Sequence, residues 1–511
     1  MFRKILIANR GEIAVRILRA CRELGIRSAA VFSEVDRKSL HVRLADEAYP
    51  IGPTASRESY LRIDKIMDVA RRSGCDALHP GYGFLAENPA LARACADIGL
   101  TFIGPSAEAM EALGSKTAGR QLARRSEVPT VPGANDPIEN PDDAQALAQN
   151  MGYPILLKAV AGGGGKGMRV VARDAEFSSA WRDASSEALN AFGDARLYLE
   201  KYLEKPRHIE IQVLADTHGR VVSLGERECS VQRRHQKVIE EAPSAFITPE
   251  VRKKMGDAAV RLARAGGYVN AGTVEFLVDA NLNFYFLEVN TRLQVEHPVT
   301  EQVTGLDLVK LQIAIAAGHR LPFAWETITP RGHATEVRLY AEDPDNNFFP
   351  SPGKILSRHA PSGPGIRLDE GVYEGWTVPT DYDPLLSKLI AWGNSREETI
   401  ARLRRALDEY FVTGIKTNAA LFRRILAEPD FLRGEIHTKW LDELLQRPSS
   451  AAPDLHMPGH SDRFADAAAI AAALWQANQS NKNAGAPSVQ DSSQPSRWKQ
   501  EGRRQQLDRL P

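Results

Sequence analysis

Phe284-Tyr285-Phe286-Leu287-Glu288-Val289-Asn290-Thr291-Arg292-Leu293-Gln294-Val295-Glu296-His297-Pro298 is the stretch from which the rest of the chain can be organised. Read as extended, it sends alternate side chains to opposite faces. One face then carries Glu288, Asn290, Arg292, Gln294 and Glu296, and the other mostly Val289, Leu293 and Val295. A solvated strand face favours Thr, Lys and Ser, so this alternation points to a polar site built on a rigid strand. Upstream, Gly272–Val278 alternates as well, and Asp279–Asn283 reads as a turn. With Asn281 and Leu282 as the hairpin loop, Glu275 faces Glu288. Facing carboxylates, with Cβ atoms about 4.5–5.5 Å apart, repel unless a cation lies between them. With the amide oxygen of Asn290 they form an incomplete, oxygen-only ligand set. Such a set suits Mg²⁺ or Mn²⁺ completed by water and phosphate.

A second segment, Ile155–Val171, reads as strand, glycine loop (Gly162–Gly165), strand. Consecutive glycines let backbone N–H groups approach an anion, and Lys158 and Lys166 supply charge for phosphates. The spacing is not that of a P-loop, and the segment is expected to be a nucleotide lid. Arg233-Arg234-His235-Gln236-Lys237 adds basic anion ligands, and the nearby Cys229 reads as a small buried residue. Metal carboxylates, a glycine lid and basic groups together point to phosphoryl transfer from ATP. Arg292 and Glu296, beyond the metal ligands on the same expected strand face, would address a second substrate. Glu296 is the candidate base and Arg292 the candidate anion clamp.

With 511 residues the chain has room for about three domains. Its formal net charge of +0 gives no global reason to expect nucleic acid or an anionic membrane as partner. Four scattered cysteines without CxxC spacing argue against zinc and a disulfide framework. The N-terminal apolar run is too short for a signal peptide and no window approaches the roughly 20 apolar residues of a membrane span, so a cytoplasmic protein is expected. Residues 1–113 alternate strands (Lys4–Ala8, Arg27–Phe32, Ala77–His79, Thr101–Ile103) with helices (Glu12–Leu24, Tyr60–Ser73, Leu85–Asp97), which implies an α/β, doubly wound parallel sheet. Residues 114–200 read as a helix near Lys116–Ser126, a Pro/Gly/Asn-rich stretch from Pro129 to Pro141, another helix, and then strand, glycine loop and strand, and residues 207–331 as α+β with several antiparallel strands. Residues 332–446 read as a mixed α+β domain with strands His333–Ala341 and Gly353–Leu356 and a helix at Arg396–Tyr410. Residues 447–511 read as a linker, a short Ala-rich helix (Asp462–Gln476), a disordered polar run (Asn478–Ser496) and a small basic patch.

Taken together, Ile5-Leu-Ile-Ala-Asn-Arg-Gly-Glu-Ile-Ala, His79-Pro-Gly-Tyr-Gly-Phe-Leu, Lys158 with Gly162–Met168, Cys229 with Arg233–Lys237, Glu288–Pro298, Asp383-Pro-Leu-Leu-Ser-Lys-Leu and Gly414-Ile-Lys-Thr-Asn occur in one order. Over residues 1–446 the sequence resembles biotin carboxylase, the ATP-grasp subunit of acetyl-CoA and related acyl-CoA carboxylases. The resemblance implies a pre-ATP-grasp domain (1–113), an ATP-grasp domain (114–331) with a mobile lid at about 131–203, and a C-terminal domain (332–446). It implies that Lys116, Lys158, Gly164, Gly165 and Lys166 hold ATP, that Glu200, Lys201, Tyr202 and Leu203 form an adenine hinge, and that His208, Gln232 and His235 also touch nucleotide. It implies two Mg²⁺ or Mn²⁺ ions on Glu275, Glu288 and Asn290. Bicarbonate would meet Lys237, Arg292, Gln294 and the Val295 backbone, with Glu296 as base. Biotin would meet Arg338, as stabiliser of its enolate, and Tyr82. None of the seven methionines precedes a lysine, so the biotin attachment motif is absent and biotin is expected on a separate carboxyl carrier protein. Carboxyltransferase subunits, a homodimer and a place in fatty acid biosynthesis are further expectations from the resemblance. Three other readings stay open: the biotin carboxylase subunit of a split pyruvate carboxylase, a different ATP-grasp ligase, and a non-catalytic assembly subunit.

Overall fold

Short apolar runs alternating with amphipathic helices close into a five-stranded parallel sheet in the computed structural model, which describes residues 1–134, 137–160, 168–322 and 328–447. The strands are β1 (Lys4–Ile7), β2 (Arg27–Ser33), β3 (Glu47–Gly52), β4 (Ala77–His79) and β5 (Thr101–Phe102), in the order β3-β2-β1-β4-β5. β3 carries Pro50 and lies at the edge, where a missing ladder donor is tolerated, and its irregular pattern gave no period-2 signal. Two helices begin later than their periodicity implies, at Ile63 and at Pro89. At the second, the Asn88 side chain accepts from the Ala90 N–H at 2.9 Å and Pro89 opens the first turn.

Two buried imidazoles make this sheet sensitive to acid. Burial lowers His41 from 6.5 to about 4, against the pull of Asp36, and lowers His79 to about 3. Both bind protons more readily when unfolded, so stability is whole above pH 6.5 and falls as pH drops below it. Each imidazole should contribute a slope of about 1.4 kcal/mol per pH unit in that window. Urea midpoints between neutral and mildly acidic pH should show the decline, flattened in His79→Gln.

An eight-stranded antiparallel sheet follows. Its strands include β9 (Arg207–Ala215), β10 (Val221–Arg233), β11 (Gln236–Ala242), β12 (Asn270–Val278), β13 (Phe284–Asn290) and β14 (His333–Tyr340). The order is β13-β12-β9-β10-β11-β14, then Leu385–Gly393 and Ile366–Glu370, so strands on both sides of residue 331 share one layer. One face is apolar. Ile209, Ile211, Val274 and Val289 pack on the helix Pro249–Ala265, and Ile239, Val337, Leu389 and Ala391 pack on the helix Arg396–Glu409. The opposite face carries charge.

A three-stranded sheet, β6 (Ile155–Ala159), β7 (Met168–Val171) and β8 (Leu197–Lys201), lies in the segment expected as a lid, with the helices Pro141–Met151 and Phe177–Phe192. This segment has its own core around Leu157, Phe177, Trp181 and Leu199. Met1–Arg447 is one compact unit. The expected helix 462–476, the polar run 478–496 and the basic patch after it lie outside the described residues. Among the described residues no helix is long and apolar enough to cross a membrane.

Candidate active site

The hairpin pairs Glu275 with Glu288, as the alternation implies, but by a different route. The Asp279 N–H donates to the Asn283 carbonyl and Leu282 takes φ +64, so the loop is Ala280-Asn281-Leu282, one residue longer than the expected pair. A bulge then places Leu287 as an extra residue in β13 and restores the register at Glu288. Beyond Asn290 the strand ends. Arg292, Gln294 and Glu296 lie on a connecting loop rather than on a continued strand face, and His297–Thr304 is helical. Pro298 accounts for the helix start, since its missing N–H costs nothing in a first turn.

Cross-strand register carries the polar row inward. Glu288 on β13 faces Glu275 on β12, which faces Glu210 on β9, which faces Arg227 on β10. Three carboxylates in adjacent register require cations, and two are supplied. The Lys237 ammonium, on β11, donates to Glu210 at 2.5 Å, Glu275 at 2.9 Å and Glu296 at 2.7 Å. The fully buried Arg227 donates to Glu210, Gln212, Thr300, Thr273 and Gln294. Burial opposes charge on Glu275, but Lys237 and His208 prevail and hold it well below the usual carboxylate range. Glu296 is also held low against burial, by Lys237, Arg338 and Arg227, and so is ionised. Arg338 Nη2 lies 3.0 Å from Glu296 Oε2.

The loop 291–296 is tied to its surroundings on three sides. Glu87 accepts from the Thr291 N–H at 3.0 Å and from Arg292 Nε at 2.9 Å. Arg292 Nη2 donates to Asn290 Oδ1 at 3.0 Å, and Gln294 Nε2 to Glu275 at 2.9 Å. The fully buried Lys388 donates to the Val295 carbonyl at 2.8 Å and stands 3.3 Å from Glu12. The Tyr82 hydroxyl donates to Glu12, whose carboxyl burial pushes up to about 7 against Lys388.

Around the residues expected to meet nucleotide, Lys158 and Arg120 both donate to the buried Glu200. Lys201 donates to the carbonyls of Gly152 and Tyr153, so its ammonium points at that backbone. Tyr202 follows with its hydroxyl against Lys439, and Leu203 is half-buried beyond it. His208 Nδ1 is 2.7 Å from Gln232 Nε2, and its Nε2 is 2.9 Å from Glu275. Arg234 and His235, both at positive φ, form the exposed two-residue turn between β10 and β11. Gly164, Gly165 and Lys166 lie outside the described residues, as does the Lys116 side chain at the start of the helix Lys116–Arg125.

The oxygen donors of Glu275, Glu288 and Asn290 suit Mg²⁺ or Mn²⁺. His208, Glu210 and Glu275 also bring one ligand atom each within 4.8 Å of one another. The sequence reading missed Glu87, Glu210, Arg227 and Lys388. Glu210 had a signal, because His208, Glu210 and Gln212 alternate with Ile209, Ile211 and Val213 as in the hairpin. Lys388 had one as a lone cation in Leu385-Leu-Ser-Lys-Leu-Ile-Ala-Trp.

The chain matches the families described as biotin carboxylase, N-terminal domain, over residues 1–110, and biotin carboxylase C-terminal domain, over 336–443. Between them, residues 115–324 match the ATP binding domain of the carbamoyl-phosphate synthase L chain family. The chain belongs to the biotin carboxylase family. As a biotin carboxylase it is an ATP-grasp ligase. It is 53% identical over 443 residues to a pyruvate carboxylase subunit of Methanothermobacter thermautotrophicus, covering 87% of this chain and 90% of that protein. It is 50% identical to biotin carboxylase 1 of Bacillus subtilis, covering 86% of this chain and 98% of that protein. A solved neighbour is the biotin carboxylase domain dimer of the Hydrogenobacter thermophilus 2-oxoglutarate carboxylase, in complex with MgADP, ADP and bicarbonate. The TM-score is 0.80 at 47% identity, over 87% of this chain and 98% of that chain.

Proposed function

We propose that this biotin carboxylase carboxylates biotin carried on a separate carboxyl carrier protein, using ATP and bicarbonate, as the first half-reaction of acetyl-CoA carboxylase or a related acyl-CoA carboxylase. The main support is that Lys237, Arg338 and Arg227 converge on one buried, ionised carboxylate, Glu296, beside the Glu275–Glu288 pair. Lys116, Lys158 and the Gly164–Lys166 loop hold the ATP phosphates, and Glu200 to Leu203 meet the adenine, with His208, Gln232 and His235 beside the nucleotide. Glu275, Glu288 and Asn290 would hold two Mg²⁺ or Mn²⁺ ions, which would supply positive charge for the transferring phosphate. Bicarbonate takes the donors Lys237, Arg292, Gln294 and the Val295 N–H. As Lys237 turns part of its hydrogen bonding from Glu296 to the anion, Glu296 becomes more basic and accepts the bicarbonate proton. The bicarbonate oxygen attacks the γ-phosphorus, the bond to ADP breaks, and carboxyphosphate forms. It divides into CO₂ and phosphate, and the phosphate takes the ureido N–H proton of biotin. Arg338 stabilises the resulting enolate beside Tyr82, and the nitrogen attacks CO₂.

A second reading for the final acceptor, a 2-oxo acid in a split pyruvate carboxylase, is favoured by the name of the 53% identical relative. A cytoplasmic homodimer working with carboxyltransferase subunits completes the proposal, the dimer supported by the domain dimer in the Hydrogenobacter thermophilus structure. Bicarbonate-dependent ATP cleavage by the purified chain should rise when free biotin is added. Cleavage without stimulation would overturn biotin as acceptor, and no cleavage at all would favour an assembly subunit. Identifying the carboxyltransferase that accompanies the biotinylated carrier decides between acyl-CoA and 2-oxo acid.

A further inference from the structure

Behind the reacting groups, the charged face of the sheet holds two carboxyl groups to which the proposed chemistry gives no part. Glu240 on β11 and Glu336 on β14 are direct cross-strand partners, which places their Cβ atoms about 4.5–5.5 Å apart. Both are fully buried, and among the described residues neither carboxyl oxygen of Glu336 makes a hydrogen bond, while Glu240 is ion-paired with Arg338. Arg338 Nη2 lies 2.5 Å from Glu240 Oε1, and the same nitrogen serves Glu296. Arg338 therefore sits between Glu240 and Glu296.

The other ionisable groups facing the pair are few. β11 brings Lys237, already shared among three carboxylates. The strand Leu385–Gly393 brings Lys388, cross-strand from Arg338 and committed to Val295 and Glu12. β10 brings Cys229, a thiol that burial keeps neutral. The helix His297–Thr304 brings His297, which burial and then Lys388 keep neutral. Two fully buried carboxylates in adjacent register, with Arg338 already shared with Glu296, disfavour ionising together.

We propose that Glu240 and Glu336 hold one proton between them at mildly alkaline pH, carried on Glu336, which leaves Glu240 ionised as the group that orients Arg338. This rests on the roles given above to Glu296 and Arg338. When Glu296 takes the bicarbonate proton, Arg338 loses one anionic partner. Glu240 keeps it in place for the biotin enolate. Burial, and the neighbouring negative charge of Glu296, push Glu240 up to about 7 against Arg338, while Glu336 is raised well above the usual carboxylate range. The hold on Arg338 is therefore present above about pH 7 and weakens as pH falls through it.

Infrared spectra of the full chain in H₂O and D₂O test the proton directly. At about pH 9, above the range in which Glu240 and Glu12 titrate, the wild-type spectrum minus that of Glu336→Gln should show a protonated-carboxyl band that shifts in D₂O, and the same band should be present in Glu240→Gln. Absence of the band from that difference spectrum would overturn the proposal. In steady-state kinetics, the wild-type KM for free biotin should rise as pH falls below about 7. Glu240→Gln should have a KM raised roughly tenfold, with a smaller change in kcat and no pH dependence in that range. Glu336→Gln should keep the wild-type dependence, and a pH-dependent KM in Glu240→Gln would count against Glu240. If the band behaves as expected but biotin does not stimulate ATP cleavage, the proton pair stands and the biotin reading fails.

Discussion

Glu296→Gln should lower bicarbonate-dependent ATP cleavage by about 10²–10⁴-fold, the usual contribution of a positioned base. The substitution keeps the side-chain volume and an acceptor oxygen but removes the charge. Lys237 retains Glu210 and Glu275 as partners, and Arg338 retains Glu240, so the cationic groups stay compensated. The fold and the nucleotide site should therefore survive, and ADP affinity measured by calorimetry should change by less than about threefold. Because Glu296 is held far below the usual carboxylate range, its ionisation adds no acid limb to the rate near neutrality. Activity within a few-fold of wild type would show that another group takes the bicarbonate proton.

Arg227→Met should produce the largest loss of stability, about 3–5 kcal/mol, as expected when one partner of a buried ion pair is removed. The guanidinium is fully buried and joins β9, β12, the loop at Gln294 and the helix at Thr300. Without it, Glu210 keeps only Lys237, and Gln212 and Gln294 lose a charged donor. The midpoint of denaturant unfolding should fall, and KM for bicarbonate should rise because Gln294 loses its orientation. Arg227→Lys should recover little, since an ammonium cannot reproduce the planar fork. An unchanged midpoint would mean that the row of carboxylates is neutralised without Arg227.

The parts legible in the sequence share one property: they are written in neighbouring residues. Glu288 and Asn290 stand out because period-2 alternation is local, and Glu275 could be placed opposite because a hairpin joins near segments. Even there the agreement had two compensating parts, a longer loop and a bulge at Leu287, neither visible in the alternation. Arg292 and Glu296 were recognised by type but expected on the wrong element, because alternation was carried through Thr291 into a loop that leads to the helix His297–Thr304. Glu87 and Thr291 are 204 residues apart, and Lys388 and Val295 are 93 apart. No local pattern links such pairs.

By itself, then, the sequence determined the residue types of the chemistry, the hairpin that pairs Glu275 with Glu288, the parallel N-terminal sheet and the family resemblance, all properties of short segments or of their order. Only the tertiary structure decided that Glu288, Glu275, Glu210 and Arg227 form one row, that Lys237 bridges three carboxylates, and that Glu240 meets Glu336 behind Arg338. Those neighbours come from strands far apart in the chain. Their charges are compatible only when antiparallel register and the burial of the opposite, apolar face bring them onto one side of the same sheet.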